Sequence, residues 1–242
     1  MSQPLCVLDD TVLAFPPVHL ALNEPNGLLA VGGDLAPERI ITAYSNGIFP
    51  WFSDGDPILW WSPDPRAVIN IDQLHINRSL RKFLKKCDYT VSVNRAFNDV
   101  IGKCSNAPFR NDDTWILPSM QQAYQRLHQL GYAHSIEIWQ NNQLVGGLYG
   151  VAIAGLFSGE SMFYQQTNAS KLALIALAEH LQSIGVNFID CQLQNPFLAS
   201  MGAVEISRQA FLSLKQHALA AQIPNDFWQS KALATSVLEQ YC

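Results

Sequence analysis

Hydrophobic and polar positions fall into stretches of two distinct periods. Residues 89–93, 133–139, 143–153, 156–158 and 186–192 carry alternating or short continuous apolar runs and predict strands. Residues 94–104, 118–130, 168–184 and 207–220 repeat their apolar positions at helical spacing, and Gly131 and Gly185 close two of these helices. Asn141-Asn142 signals a turn between two predicted strands. An antiparallel hairpin leading into a strand–helix–strand unit predicts an α+β fold. Its core is a mixed, largely antiparallel sheet with helices on its faces.

Ahead of this lies a segment of different texture. Residues 1–62 are rich in Pro, Gly, Trp and Phe, and only residues 35–47 read as a helix, with Asp34 as its N-cap and Gly47 at its end. Prolines 50, 57, 63 and 65 forbid a continuous helix or a central strand over residues 47–68. The expected organisation is a small amino-terminal domain, 1–62, and a larger domain, 63–242, with the linker at residues 62–65.

Hydrophobic residues make up 48% of the 242 and charged residues 14%, which excludes disorder for most of the chain. The five cysteines, at 6, 87, 104, 191 and 242, form no C-x-x-C pair, and the six histidines form no pair at metal spacing. We therefore expect neither a disulfide framework nor a metal site. The amino terminus lacks the basic and apolar regions of a secretory signal. The longest stretch free of strongly polar residues, 144–157, is too short to cross a bilayer. A cytoplasmic protein with reduced thiols is expected.

Charge changes this picture locally. Residues 1–62 hold seven acids and one base, residues 63–110 hold nine bases and four acids, and residues 111–242 hold nine acids and five bases. Within the basic segment Arg78, Arg81, Lys82, Lys85 and Lys86 fall on one face of a predicted helix. Leu80, Phe83, Leu84 and Cys87 fall on the other, with Asn77 as N-cap. Such a face is either simply solvated or a contact for a polyanion, nucleic acid before a membrane surface.

Other motifs separate into empty and informative ones. GLLAVGGDL (27–35) lacks the Lys-Ser/Thr of a phosphate-binding loop, and residues 159–163 lack the second glycine of a nucleophile elbow. A coenzyme A site would need a glycine-rich turn opening a helix, and residues 165–171 have none. Asp190 and Gln192 are expected on one face of a strand, where a carboxylate beside an amide could orient and deprotonate an amine; a strand-end turn is the plainer reading. Glu160 is either a second acid at the sheet end or a surface residue. Tryptophans 51, 60, 61 and 115 sit in loops, where they could stack on bases or plug a core.

The motifs EPNGLLAVGGDL (24–35), GIFPWFSDGDPILWWSPDPRAV (47–68), HSIEIW (134–139), LVGGLYGV (144–151), FSGESMF (157–163), NASK (168–171) and IDCQ (189–192) together resemble the leucyl/phenylalanyl-tRNA–protein transferases. The resemblance runs from about residue 15 to 228 and is weakest over 104–113 and at both termini. It implies an acyltransferase-like (GNAT-like) larger domain. The implied enzyme moves Leu or Phe, and less well Met, from aminoacyl-tRNA to the α-amine of proteins beginning with Arg or Lys. Those proteins become N-degron substrates, and the enzyme works in the bacterial cytoplasm as a monomer without metal or cofactor. The family pattern puts the terminal adenosine against Trp51 and Trp115, and the aminoacyl side chain among Leu148, Phe157, Met162, Leu174, Leu177 and Ile189. It puts Asp190 and Gln192 at the chemical step, with Glu160 and Asn195 as further site positions. On this reading the basic helix meets acceptor-stem phosphates. The alternatives are an acyl-CoA N-acyltransferase and a non-catalytic tRNA-binding module.

Overall fold

The structure is a computed structural model that describes residues 5–107 and 114–233. Its elements, in chain order, are β1 (Cys6–Leu8), β2 (Leu28–Gly32), α1 (Pro37–Ser45), β3 (Phe49–Pro50), β4 (Leu59–Trp61), β5 (Arg66–Asn70), α2 (Arg78–Leu84), β6 (Thr90–Val93), α3 (Phe97–Ser105) and α4 (Pro118–Gln129). There follow β7 (Ala133–Gln140), β8 (Gln143–Ile153), β9 (Leu156–Tyr164), α5 (Ala169–Gln182), β10 (Phe188–Gln192), α6 (Pro196–Ser200), β11 (Val204–Ile206), α7 (Arg208–Leu219) and β12 (Lys231–Leu233). Among the described residues no helix is long and apolar enough to cross a membrane.

Eight strands form the main sheet, in the order β11-β5-β10-β9-β8-β7-β6-β12. Every neighbouring pair is antiparallel except β9 and β10, which are parallel. Asn141 and Asn142, both at positive φ, make the two-residue turn of the β7–β8 hairpin. Alternation along β8 splits the core: Leu148 and Ala152 face one cluster, Tyr149 and Val151 the other. The first cluster includes the almost wholly buried α5, an apolar helix on nearly every side. Gly146 lets α5 approach β8, since a Cβ there would lie 2.4 Å from that of Ala169.

The second cluster joins the other face of the sheet to the amino-terminal segment. A four-stranded sheet, β1-β2-β4-β3, packs there with α1, α3 and α4. Pro50 sits on the edge strand β3, where a missing N–H leaves no broken ladder. Residues 62–65 connect β4 to β5, and Ile40, Tyr44 and Trp60 share a continuous core with Val100, Met120, Tyr124 and Tyr149.

Several sequence expectations need correction. Asp34 does not cap α1; Ala36 takes that position, and Asp34 Oδ1 accepts from the Ala36 N–H and from Arg39 Nε. The basic helix ends at Leu84, so Lys85 is its C-cap and Lys86 follows it, while Asn77 does cap it by accepting from the Leu80 N–H. The helix predicted from residue 94 begins at Phe97, because Asn94 has a positive φ. The strand predicted over 156–158 continues to Tyr164 through the polar Ser158–Ser161.

Candidate active site

The site forms where two parallel strands part. β9 and β10 are matched at a single register point, Ser158 opposite Asp190. Beyond it β10 turns off: a bulge falls between Asp190 and Gln192, Gln192 has a φ of 57°, and the Leu193 N–H donates to the Cys191 carbonyl at 2.7 Å. The separation opens a cavity of about 410 Å³. Leu148, Met162, Leu174, Leu177, Ile189 and Leu198 give it apolar walls, and Glu160, Ser161, Gln192 and Asn195 bring polar groups to it.

Glu160 is held by two buried tyrosines. Tyr44 from α1 donates to Oε1 at 2.6 Å, Tyr124 from α4 donates to Oε2 at 2.9 Å, and the two phenol oxygens are 2.6 Å apart. Three short oxygen contacts call for three protons, and two phenols supply only two. When the carboxyl is protonated, Oε1 donates to Tyr44, Tyr44 donates to Tyr124 and Tyr124 donates to Oε2, so all three contacts are filled; when it is ionised, both phenols donate to it. Burial pushes the Glu160 carboxyl up to about 7 against the downward pull of the tyrosine hydrogen bonds, with the nearby Asp190 charge adding to the rise and Arg66 opposing it. Burial, then the Glu160 charge, holds both phenols well above their ordinary range.

Asp190 lies behind this wall and is fully buried. Arg66, at the start of β5, meets it side-on with two bonds of 2.8 Å, Ser158 Oγ donates at 2.8 Å, and the Gln192 N–H donates at 3.2 Å. Arg66 is itself enclosed: its guanidinium stands 4.9 Å from the Phe49 ring and 4.5 Å from the Phe211 ring, and it donates to the Gly47 carbonyl. Gly47, at a φ of 78°, would place a Cβ 2.9 Å from Phe211. Gln192 points the other way, its Nε2 3.3 Å from Glu160 Oε1. The bulge thus breaks the expected shared face of Asp190 and Gln192: one is buried in an ion pair and the other lines the cavity.

The family model for leucyl/phenylalanyl-tRNA protein transferase matches residues 68–216, and that of its N-terminal domain matches residues 33–64. A leucyl/phenylalanyl-tRNA–protein transferase of Colwellia psychrerythraea is 61% identical over 238 residues, covering 96% of this chain and 99% of that protein. The chain belongs to the leucyl/phenylalanyl-tRNA protein transferase family. That is a family of aminoacyltransferases. The similarly named protein of Tolumonas auensis is 53% identical and covers 93% of this chain and 96% of its own. Solved structures are more distant. L-PGS from Bacillus licheniformis has a TM-score of 0.43 at 12% identity, over 81% of this chain and 74% of that one. A GCN5-related N-acetyltransferase from Kribbella flavida has a TM-score of 0.34 at 12% identity, over 69% and 60%.

In this family member the residues singled out by sequence divide in two. Leu148, Glu160, Met162, Leu174, Leu177, Ile189, Gln192 and Asn195 line the cavity, Asn195 also capping α6 by accepting from the Leu198 N–H. Asp190, Phe157, Trp51 and Trp115 do not line it. Phe157 is buried with its ring 5.7 Å from that of Trp228. Trp51 is exposed and meets Trp61 edge-on at 5.7 Å, and Trp115 packs against the α3–α4 side of the core. Arg78, Arg81, Lys82, Lys85 and Lys86 are all exposed, with Arg81 Nε donating to the Ile76 carbonyl. Sequence reasoning missed Arg66, Tyr44, Tyr124 and Ser158. The one available hint was Tyr44, four residues after Ile40 on the apolar face of its helix.

Proposed function

We propose that this chain transfers leucine or phenylalanine, and methionine less well, from aminoacyl-tRNA to the α-amine of proteins beginning with Arg or Lys. The observation that carries this reading is the apolar cavity with Glu160 and Gln192 at its polar side, in a chain of this family. A methylene in such an apolar pocket changes binding by only ~1–3 kcal/mol, which leaves room for methionine. The modified protein is an N-degron substrate, and the enzyme acts in the cytoplasm as a monomer, with no metal or cofactor.

The reaction is aminolysis of an ester. The acceptor nitrogen attacks the aminoacyl carbonyl, a C–N bond forms, the C–O bond to the terminal ribose breaks, and the released ribose oxygen takes up a proton. The ester is already activated, so placing the amine and removing its proton supply most of the acceleration. Glu160, poised near neutrality, takes the proton from the ammonium, and the Gln192 amide donates to the developing oxyanion. Asp190, assigned by sequence to the same step, acts through Gln192: its carboxylate is occupied by Arg66 and Ser158 and holds the Gln192 N–H. Residues 1–62 serve as the small domain whose Tyr44 reaches into the site of residues 63–242. Trp51 and Trp115 stack on the terminal adenosine, and the exposed basic face of α2 contacts acceptor-stem phosphates without reading sequence.

The test is one transfer assay with radiolabelled leucyl-tRNA and two peptides, one beginning with Arg and one with Ala, without coenzyme A. Label on the Arg peptide alone is the expected result. Label on neither, with tRNA still bound, would overturn the transfer reading and leave a binding module.

A further inference from the structure

α5 begins without the groups that ordinarily complete a helix start. The leading N–H groups of a helix need acceptors from outside it, and an acid in the first turn suits the positive end of the helix dipole. Asn168, the N-cap, stands at a φ of 63° and its side chain makes no cap bond. The first turn holds no acid, and Lys171 gives it the opposite charge. The Ala169 N–H donates to the Gln166 carbonyl and the Leu172 N–H to that of Asn168. Among the described residues the N–H groups of Ser170 and Lys171 meet no acceptor. The turn before them is fixed: the Gln165 and Gln166 N–H groups donate to the Val145 carbonyl, and the Thr167 carbonyl accepts from the Tyr89 hydroxyl. Ser170 supplies an independent sign. It is 5% exposed, lines the cavity, and its hydroxyl forms no hydrogen bond to any described residue. Buried hydroxyls are seldom left so, and the space beside this one is the cavity.

We propose that the start of α5 holds a phosphate of the aminoacyl-tRNA donor, the one that links the terminal adenosine to the nucleotide before it. This rests on the proposed reading that the donor is aminoacyl-tRNA with its aminoacyl side chain among the apolar walls. The Ser170 hydroxyl and the Ser170 and Lys171 N–H groups donate to the phosphate oxygens, and the lysine charge offsets theirs. Position along the helix agrees. The stripe of α5 that faces the cavity is Ser170, Leu174 and Leu177, at spacings of four and three. The two leucines belong to the walls that take the side chain. Ser170 lies one turn nearer the exposed residues 165–167, about 6 Å along the helix axis, comparable with the breadth of a ribose. The helix thus matches the order of groups along the donor: side chain, ester, ribose, phosphate. A lasting positive charge suits a phosphodiester, which is anionic throughout the reaction, whereas the transient oxyanion has the neutral Gln192 amide. A phosphate is common to every tRNA, so this contact serves an enzyme that takes both leucyl and phenylalanyl donors.

The experiment uses two unreactive donor analogues, 3′-leucylamido-3′-deoxyadenosine and its 5′-phosphate, as inhibitors of transfer from labelled leucyl-tRNA to an Arg-initiated peptide. The phosphate should strengthen inhibition of the wild type roughly tenfold or more. Ser170→Ala and Lys171→Met should each cut that ratio to a third or less of the wild-type value. Both analogues are measured on one preparation, so a variant that folds less completely leaves the ratio alone. A phosphorylated analogue that inhibits the wild type no better than its parent would overturn the site. So would a ratio undiminished in both variants, since the phosphate would then be held elsewhere. Transfer from leucyl-tRNA itself reports separately on the underlying reading. If the peptide receives no label even without inhibitor, the donor assignment has failed; if it is labelled and the phosphate makes no difference, only the site at α5 has.

Discussion

At the residue scale the controlling feature is the proton balance among three oxygens. Tyr44, Tyr124 and Glu160 lie within 2.6–2.9 Å of one another, and the protonated carboxyl satisfies all three contacts. The raised carboxyl carries a sign for stability as well as for rate. Its folded value, about 7, exceeds the ordinary 4.5, so its contribution to stability is full below 4.5 and is lost as pH rises through 7. Proton acceptance needs the opposite form, so transfer should rise with pH through about 7. Glu160→Gln keeps an acceptor for the phenols and cannot ionise. We expect it to lower kcat by 10²–10⁴-fold, the usual range for losing a general base, and to abolish the rise near pH 7, as read in a pH series of single-turnover transfer. A variant that keeps the wild-type profile would place the proton acceptor elsewhere.

At the scale of elements, the exposed face of α2 is where charge should be felt. The helix docks through Leu80 and Leu84, leaving Lys82, Lys85 and Lys86 in solvent, so reversal of all three to Glu disturbs no described core contact. Each phosphate contact releases counterions and contributes about one unit to the slope of log K against log salt. The triple reversal should weaken tRNA binding and flatten that slope by about two to three units, measured by filter binding across a salt series; an unchanged slope would mean that these lysines touch no phosphate. This helix was legible in sequence because its evidence is local: an Asn cap and two faces at helical spacing. So were α4, α5 and the β7–β8 hairpin. What was not legible is long-range. The polar stretch Ser158–Ser161 belongs to β9 only because β8 pairs with it, and the bulge that separates Asp190 from Gln192 depends on β5, more than a hundred residues away. Arg66 could be read only as one more base in a basic segment, since its partner stands 124 positions along the chain.

At the scale of the whole molecule, the described end of the chain is fastened to the sheet by stacked neutral histidines. His134 stacks on Trp228 at 4.2 Å, donates from Nε2 to the Gly131 carbonyl and accepts from Asn94 at Nδ1. His180 of α5 stacks on Phe227 at 3.9 Å and donates to that residue's carbonyl. Burial is the main reason that His134 is pushed down to about 3 and His180 to about 4. Both folded values lie below the ordinary 6.5, so the stability these rings contribute is present above 6.5 and lost as pH falls toward the folded values. This opposes the Glu160 effect, which adds stability over part of the same range. A His180→Phe variant separates them, since it keeps an aromatic ring on Phe227 and removes one titrating group. Urea unfolding at pH 7 and pH 5 should show the wild type losing stability relative to the variant by on the order of 1–2 kcal/mol across that interval. Equal losses in the two proteins would mean that His180 takes up its proton in the folded state as readily as in the unfolded one, and that acid weakens the molecule somewhere other than this fastening.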